Sequence, residues 1–122
     1  TIGEIARCIY ESLALRYKQV LENLQKLADF PIQTLHIIGG GSKNNMLNQF
    51  TANAIGINVV SGPSEATAMG NILLQAQATG LVKNTEEIRK IIRNSCELEE
   101  FKPSHIEEWG VQYKNYLKVY IE

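Results

Sequence analysis

An α/β fold built on a short parallel sheet is predicted by three stretches that follow one another without a break. Thr34-Leu35-His36-Ile37-Ile38 has the apolar, β-branched character of a strand and runs into Gly39-Gly40-Gly41, where the backbone can turn with no Cβ in the way. Met46, Leu47, Phe50, Ala54 and Ile55 then recur at helical spacing, with Asn44 or Asn45 placed to cap the start and Gly56 just past the end. Ile57-Asn58-Val59-Val60 follows at once as a second strand. Strand, helix and strand in this order make a βαβ unit, so the strands are expected to be parallel with a right-handed crossover. So small a sheet needs several helices packed on it.

The remaining elements flank that unit. Thr1 and Glu4 have capping-box spacing, and Ile5, Ile9, Leu13, Tyr17, Val20, Leu21, Leu24, Leu27 and Ala28 repeat as the inward stripe of a long helix. Arg7, Glu11, Lys18, Glu22 and Lys26 are its expected solvated face, and Pro31 closes the connection to the first strand. Beyond the second strand, Gly62-Pro63-Ser64-Glu65 reads as a helix start, with Pro63 at the first helical position and Glu65 in the first turn. The small residues Ala66, Ala68, Gly70, Ala76 and Ala78, with Thr67, Asn71 and Gln75 on one side, suit a helix lying close against another backbone. Gly80 ends it, and Asn84 with Glu87 can box a short helix carrying Ile88, Ile91 and Ile92. Cys96 to Lys102 is expected to be an extended connector before Pro103. Ser104 and Glu107 then box a final helix whose Ile106, Trp109, Tyr113, Tyr116, Leu117 and Tyr120 form an aromatic core stripe.

The chain has 122 residues, 44% hydrophobic and 20% charged, without internal repeats or low-complexity linkers, so residues 1–122 are read as a single domain. A formal net charge of −1 leaves no basic field for nucleic acid, and no apolar run reaches the ~18 residues of a membrane span. Cys8 and Cys96 lack metal-ligand spacing and are expected to be reduced thiols in a cytoplasmic protein. The start at Thr1, directly in a helix-start pattern and without Met, is expected of a piece of a longer protein.

The glycine corner is the chemically suggestive stretch. Bare peptide ahead of a helix start can take a phosphate or the flat face of a base, although a plain strand-to-helix turn needs no ligand. It is neither of two familiar glycine motifs. The dinucleotide fingerprint needs glycine where Asn44 stands, and the P-loop needs Ser or Thr after Lys43, where Asn44 again stands. A catalytic set is not legible: His36 and His105 have no partners at metal-ligand spacing, and Ser42 has no evident base.

Ile37-Ile38-Gly39-Gly40-Gly41-Ser42-Lys43-Asn44, then Leu47-Asn48-Gln49, Ala52, Ala54-Ile55-Gly56 and Gly62-Pro63-Ser64-Glu65-Ala66-Thr67-Ala68-Met69-Gly70-Asn71 resemble the FGGY carbohydrate kinases. The last of these blocks, Gly62 to Asn71, with Gln75 after it, looks most like the rhamnulokinase branch of that family. The resemblance is close from Ile5 to Gly80 and loose in the tail. It implies the C-terminal, nucleotide-binding part of a longer sugar kinase, with a partial actin-like ATPase (ribonuclease H-like) fold. The longer protein would transfer the γ-phosphoryl of ATP, with Mg²⁺, to the 1-hydroxyl of L-rhamnulose; another FGGY kinase, for fuculose or xylulose, and a stand-alone nucleotide-binding or interaction module are the alternatives. Gly40 with Gly39 and Gly41 would approach the ribose and α-phosphate, and Asn44 would face the adenine. The catalytic Asp, the phosphate loops and most of the sugar site would lie outside this stretch, so the piece alone is expected to be inactive. Its uncovered surface is expected to self-associate.

Overall fold

The central βαβ unit forms because each of its segments is bounded by a residue that enforces the change of direction. In the computed structural model, which describes residues 1–120, β1 (Thr34–Ile37) leads into a 3-10 turn (Gly40–Lys43), α2 (Asn45–Ile55) and β2 (Asn58–Ser61). Asn44 caps α2 by accepting from the Leu47 N–H at 3.1 Å, and Gly56 ends it in the left-handed conformation. β1 and β2 are parallel, with Thr34 opposite Asn58 and Ile37 opposite Ser61. A third strand, β3 (Glu99–Phe101), pairs antiparallel with the far side of β2, giving the order β1-β2-β3. The connector expected from Cys96 to Lys102 is therefore extended and also part of the sheet. Its polar residues carry no alternation that would mark it as a strand.

Around the sheet stand α1 (Ile2–Leu27), α3 (Ala66–Ala78), α4 (Thr85–Ser95) and α5 (Ile106–Val119). The Thr1–Glu4 capping box of α1 is complete. The orientation of α1 is not the expected one. Ala14 and Leu15 are its buried residues, whereas Ile5 is 64% and Leu24 52% exposed. Of the face expected to be solvated, Arg7, Glu22 and Lys26 are exposed and Glu11 and Lys18 half-buried, yet several of these side chains reach neighbouring elements. Lys18 donates to the Ala54 carbonyl at the end of α2 (2.9 Å) and stands 5.0 Å from the Tyr113 ring, Glu22 accepts from the Tyr113 hydroxyl (2.8 Å), and the Arg7 guanidinium lies 5.9 Å from the Phe50 ring. Small Ala14 lets α2 approach, and the long charged side chains lay their stems on aromatic rings while their heads meet the open carbonyl end of α2 or water.

In α2 the expected stripe is kept in part: Ala54 is in the main core with Phe50 against it, and Leu47 and Ile55 are half-buried. Met46 of the expected stripe is half exposed, while Asn48, Thr51, Ala52, Asn53 and Ala54 are buried. Asn53 accepts from the Ser104 N–H (2.9 Å) and hydroxyl (3.1 Å), so Ser104 is used to fasten the β3–α5 loop to α2. The expected Ser104–Glu107 box is not made; α5 starts after His105, which has a positive φ of 52°. Tyr113 of α5 joins Ala14, Leu15 and Ala54 in the main core, with Phe50, Trp109 and Tyr116 against it. Leu73, Val82 and Ile88 form a second cluster between α3 and α4.

Two further expectations are corrected. Pro63 lies outside α3, which begins at Ala66, because a backbone hydrogen bond from Gly39 to the Pro63 carbonyl (3.1 Å) holds this segment as a loop. The small residues of α3 meet a neighbour only in part: Ala76 packs against the Leu73, Val82 and Ile88 cluster, whereas a Cβ on Gly70 would meet nothing within 4 Å.

Candidate functional site

The corner after β1 is held from below and bare above. Gly39 has φ 81° and ψ −170°, a region open essentially to glycine alone. Its N–H donates to the Pro63 carbonyl, and the Gly62 N–H donates to the Ile37 carbonyl (2.8 Å), so the corner and the β2–α3 loop brace each other. Gly62 is needed for two reasons, a φ of 101° and a Glu97 carbonyl that would stand 3.0 Å from any Cβ. Gly40 and Gly41 are different. Neither has a positive φ, and a Cβ on either would meet nothing within 4 Å. The first N–H groups of a 3-10 turn have no partner inside it, so those of Gly40 and Gly41 face open space.

The turn closes through Ser42 N–H to the Gly39 carbonyl (3.0 Å) and Asn44 N–H to the Gly41 carbonyl (3.2 Å). Asn44, half-buried, spends its side-chain oxygen on the α2 cap, leaving its amide N–H₂ as the group it can offer outward. Under the turn, the buried Asn48 donates from Nδ2 to the Ser42 carbonyl at 2.7 Å. Sequence reasoning missed this residue. The available signal was its place one turn after Asn44 on the same face of α2.

A cleft of about 520 Å³ opens outside the carboxyl end of β2. Ser42, Lys43 and Asn45 form one wall, the Ser61–Glu65 segment and Met69 another, and Cys96, Glu97 and Glu99 a third. Gly39, Gly40, Gly41 and Asn44 do not line these walls. Of the residues expected at the corner, Ser42 and Lys43 thus turn to the cleft, and the three glycines and Asn44 do not. Lys43 lines this cleft together with Glu65, Glu97 and Glu99, and all four are exposed. Cys96 lies with its Sγ 3.2 Å from the Met69 Sδ, and both cysteines are free thiols.

His36 is exposed on β1, and His105 lies beside Glu108 (3.4 Å) at the start of α5, far in sequence from the corner. Among the described residues no group of three or more His, Cys, Asp or Glu could hold a metal ion, and no helix is long and apolar enough to cross a membrane.

The fold is that of part of an actin-like sugar kinase. The structures of gluconate kinase and of ligand-bound xylulose kinase from Lactobacillus acidophilus superpose with TM-scores of 0.71 and 0.72, each over 98% of this chain and 23% and 24% of theirs, at 20% sequence identity. The family model for the C-terminal domain of the FGGY carbohydrate kinases matches residues 1–79, and the chain belongs to that family. Among its relatives are the rhamnulokinases of Bacteroides thetaiotaomicron, 56% identical over 111 residues, and of Bacillus subtilis, 45% identical over 107. These alignments take in 91% and 88% of this chain but 23% and 22% of the relatives' length.

Proposed function

We propose that this chain is the C-terminal nucleotide-binding part of a longer kinase that transfers the γ-phosphoryl of ATP to the 1-hydroxyl of L-rhamnulose. The observation that carries the site is the pair Gly40 and Gly41. Neither backbone conformation nor space within the fold requires glycine there, so the reason for the missing Cβ lies above the turn, with whatever lies on it. The ribose and α-phosphate of ATP rest on Gly39, Gly40 and Gly41, and the Asn44 amide N–H₂ faces the acceptor nitrogens of adenine. The sugar specificity rests on the rhamnulokinase relatives, 56% and 45% identical.

ATP supplies the phosphoryl group; the residues here bind and orient its nucleoside end. The Mg²⁺ ion's protein ligands are placed in another part of the enzyme, together with the base for the sugar hydroxyl. The sugar is likewise held mainly outside this chain, and the isolated chain is inactive. The enzyme works in the cytoplasm, where ATP is available.

The test is Gly40→Val in the kinase that carries this chain. A side chain above the turn occupies the nucleotide's space, so the apparent KM for ATP should rise about tenfold or more with that for the sugar unchanged. A folded variant with unchanged ATP dependence would mean that the glycines are only a turn. Assaying L-rhamnulose beside L-fuculose and D-xylulose separates the substrate assignment from the site assignment.

A further inference from the structure

We infer that Asn48 is a positioning residue for the nucleotide: it sets the pitch of the glycine turn from beneath, without touching the ligand. The inference rests on the reading of the turn as the nucleotide-bearing surface.

Asn48 is 1% exposed and makes two hydrogen bonds to the same short segment. Its side-chain Nδ2 donates to the Ser42 carbonyl at 2.7 Å, and its main-chain N–H donates to the Asn44 carbonyl at 2.9 Å. Residues 42–44 are therefore pinned at both ends from one position on α2. The Ser42 anchor matters most for the surface above. A peptide unit is planar, so holding the Ser42 carbonyl down on Asn48 fixes the tilt of the whole unit joining Ser42 to Lys43. The Ser42 N–H, in the preceding peptide unit, donates to the Gly39 carbonyl at 3.0 Å, so Ser42 is held by its carbonyl on Asn48 and by its N–H on Gly39.

The Asn48 Oδ1 is buried and, among the described residues, is the one buried side-chain polar atom without a hydrogen-bond partner. A residue chosen for stability would not leave a buried acceptor unmatched, because its desolvation opposes the bond made by the other half of the amide. The amide cannot simply turn over, since Oδ1 would then face the Ser42 carbonyl oxygen, acceptor against acceptor. Asn48 thus gives up stability at one atom to hold a carbonyl with the other. That exchange is expected where geometry, rather than folding energy, is what the position supplies.

The distinguishing variant is Asn48→Leu in the kinase that carries this chain, compared with Gly40→Val. Leucine keeps the branching at Cγ, though it is larger, and removes the donor and the unmatched acceptor together. The thermal unfolding temperature should stay level or rise, while the apparent KM for ATP rises about fivefold or more and kcat and the sugar KM hold. Should Asn48→Leu fold poorly, Asn48→Ala is measured beside Val82→Ala, which lies in the separate α3–α4 cluster. The first should then raise the ATP KM and the second should not. An Asn48 variant with normal ATP KM, beside a Gly40→Val enzyme that has lost ATP affinity, overturns the positioning role and leaves the nucleotide reading standing. Normal ATP dependence in both overturns the two together.

Discussion

The glycines after β1 look alike in sequence but are required for different reasons. Gly39 is required by the backbone, since φ 81° with ψ −170° is closed to residues with a Cβ. Gly41 is not. Gly39→Ala should therefore destabilise the fold by about 1–3 kcal/mol, whereas Gly41→Ala should leave stability unchanged or raise it by up to about 1 kcal/mol, because alanine narrows the unfolded ensemble. Denaturant unfolding of both variants reads the difference; equal losses would contradict the geometry. The glycine corner and the Asn44 cap could be read from residue type and spacing. Asn48 could not. An asparagine in a helix is ordinarily placed toward solvent, and only the chain's return over the Ser42 carbonyl shows that this one is buried.

Among the elements, α1 departs furthest from its periodicity. Its apolar stripe is real, but its inward face is built from Ala14, Leu15 and the stems of Arg7, Lys18 and Glu22. The contact between Tyr113 and Glu22 ties α5 to α1, and burial, together with the facing carboxylate, pushes the Tyr113 phenol above its usual 10.0. An acid whose pKa is raised on folding contributes stability while it is protonated in both states. That contribution is present below pH ~10 and is lost as pH climbs toward the raised value. Tyr113→Phe should lose about 1 kcal/mol at neutral pH, a modest figure because the Glu22 carboxylate is open to solvent. Above pH ~10 the gap between wild type and variant should shrink, as thermal melts across pH 7–11 will show. A constant gap would mean that the hydroxyl contributes packing alone.

For the molecule as a whole, the uncovered surfaces are the informative feature. The edge of β1 away from β2 has no strand partner among the described residues, and along α1 Ile2, Ile5, Ile9, Leu24 and Leu27 are all at least half exposed. The chain spans 23% of its Bacteroides relative, and we propose that in the whole kinase other parts of the polypeptide cover both surfaces. Expressed alone, the chain should pair through them, as open edges and apolar patches do. Ile9→Glu with Leu24→Glu should then shift sedimentation toward monomer without unfolding the domain, since neither side chain is in the core. A wild-type chain that sediments as a monomer at about 50 μM would refute this.

Local chemistry in the sequence determined where the chain turns, caps and runs extended. The Thr1–Glu4 box, the Asn44 cap, Gly56 and the βαβ order each depend on a few neighbouring residues, and all four are as expected. The inward stripes of α4 and α5 were also legible, with Ile88 and Tyr113 in the cores, whereas only the tertiary structure decided which face of α1 is inside. An amphipathic pattern says that a face will be covered, not by which partner, and in a chain of this extent α1 and α2 meet through their small and polar residues. The third strand and the Asn48 anchor belong to the same category. Glu99–Phe101 becomes a strand because β2 has a free edge beside it, and Asn48 becomes an anchor because the Ser42 carbonyl is turned down onto it. The strand has no local cause, whereas for Asn48 the spacing from Asn44 marks the face it lies on but not the Ser42 carbonyl it meets.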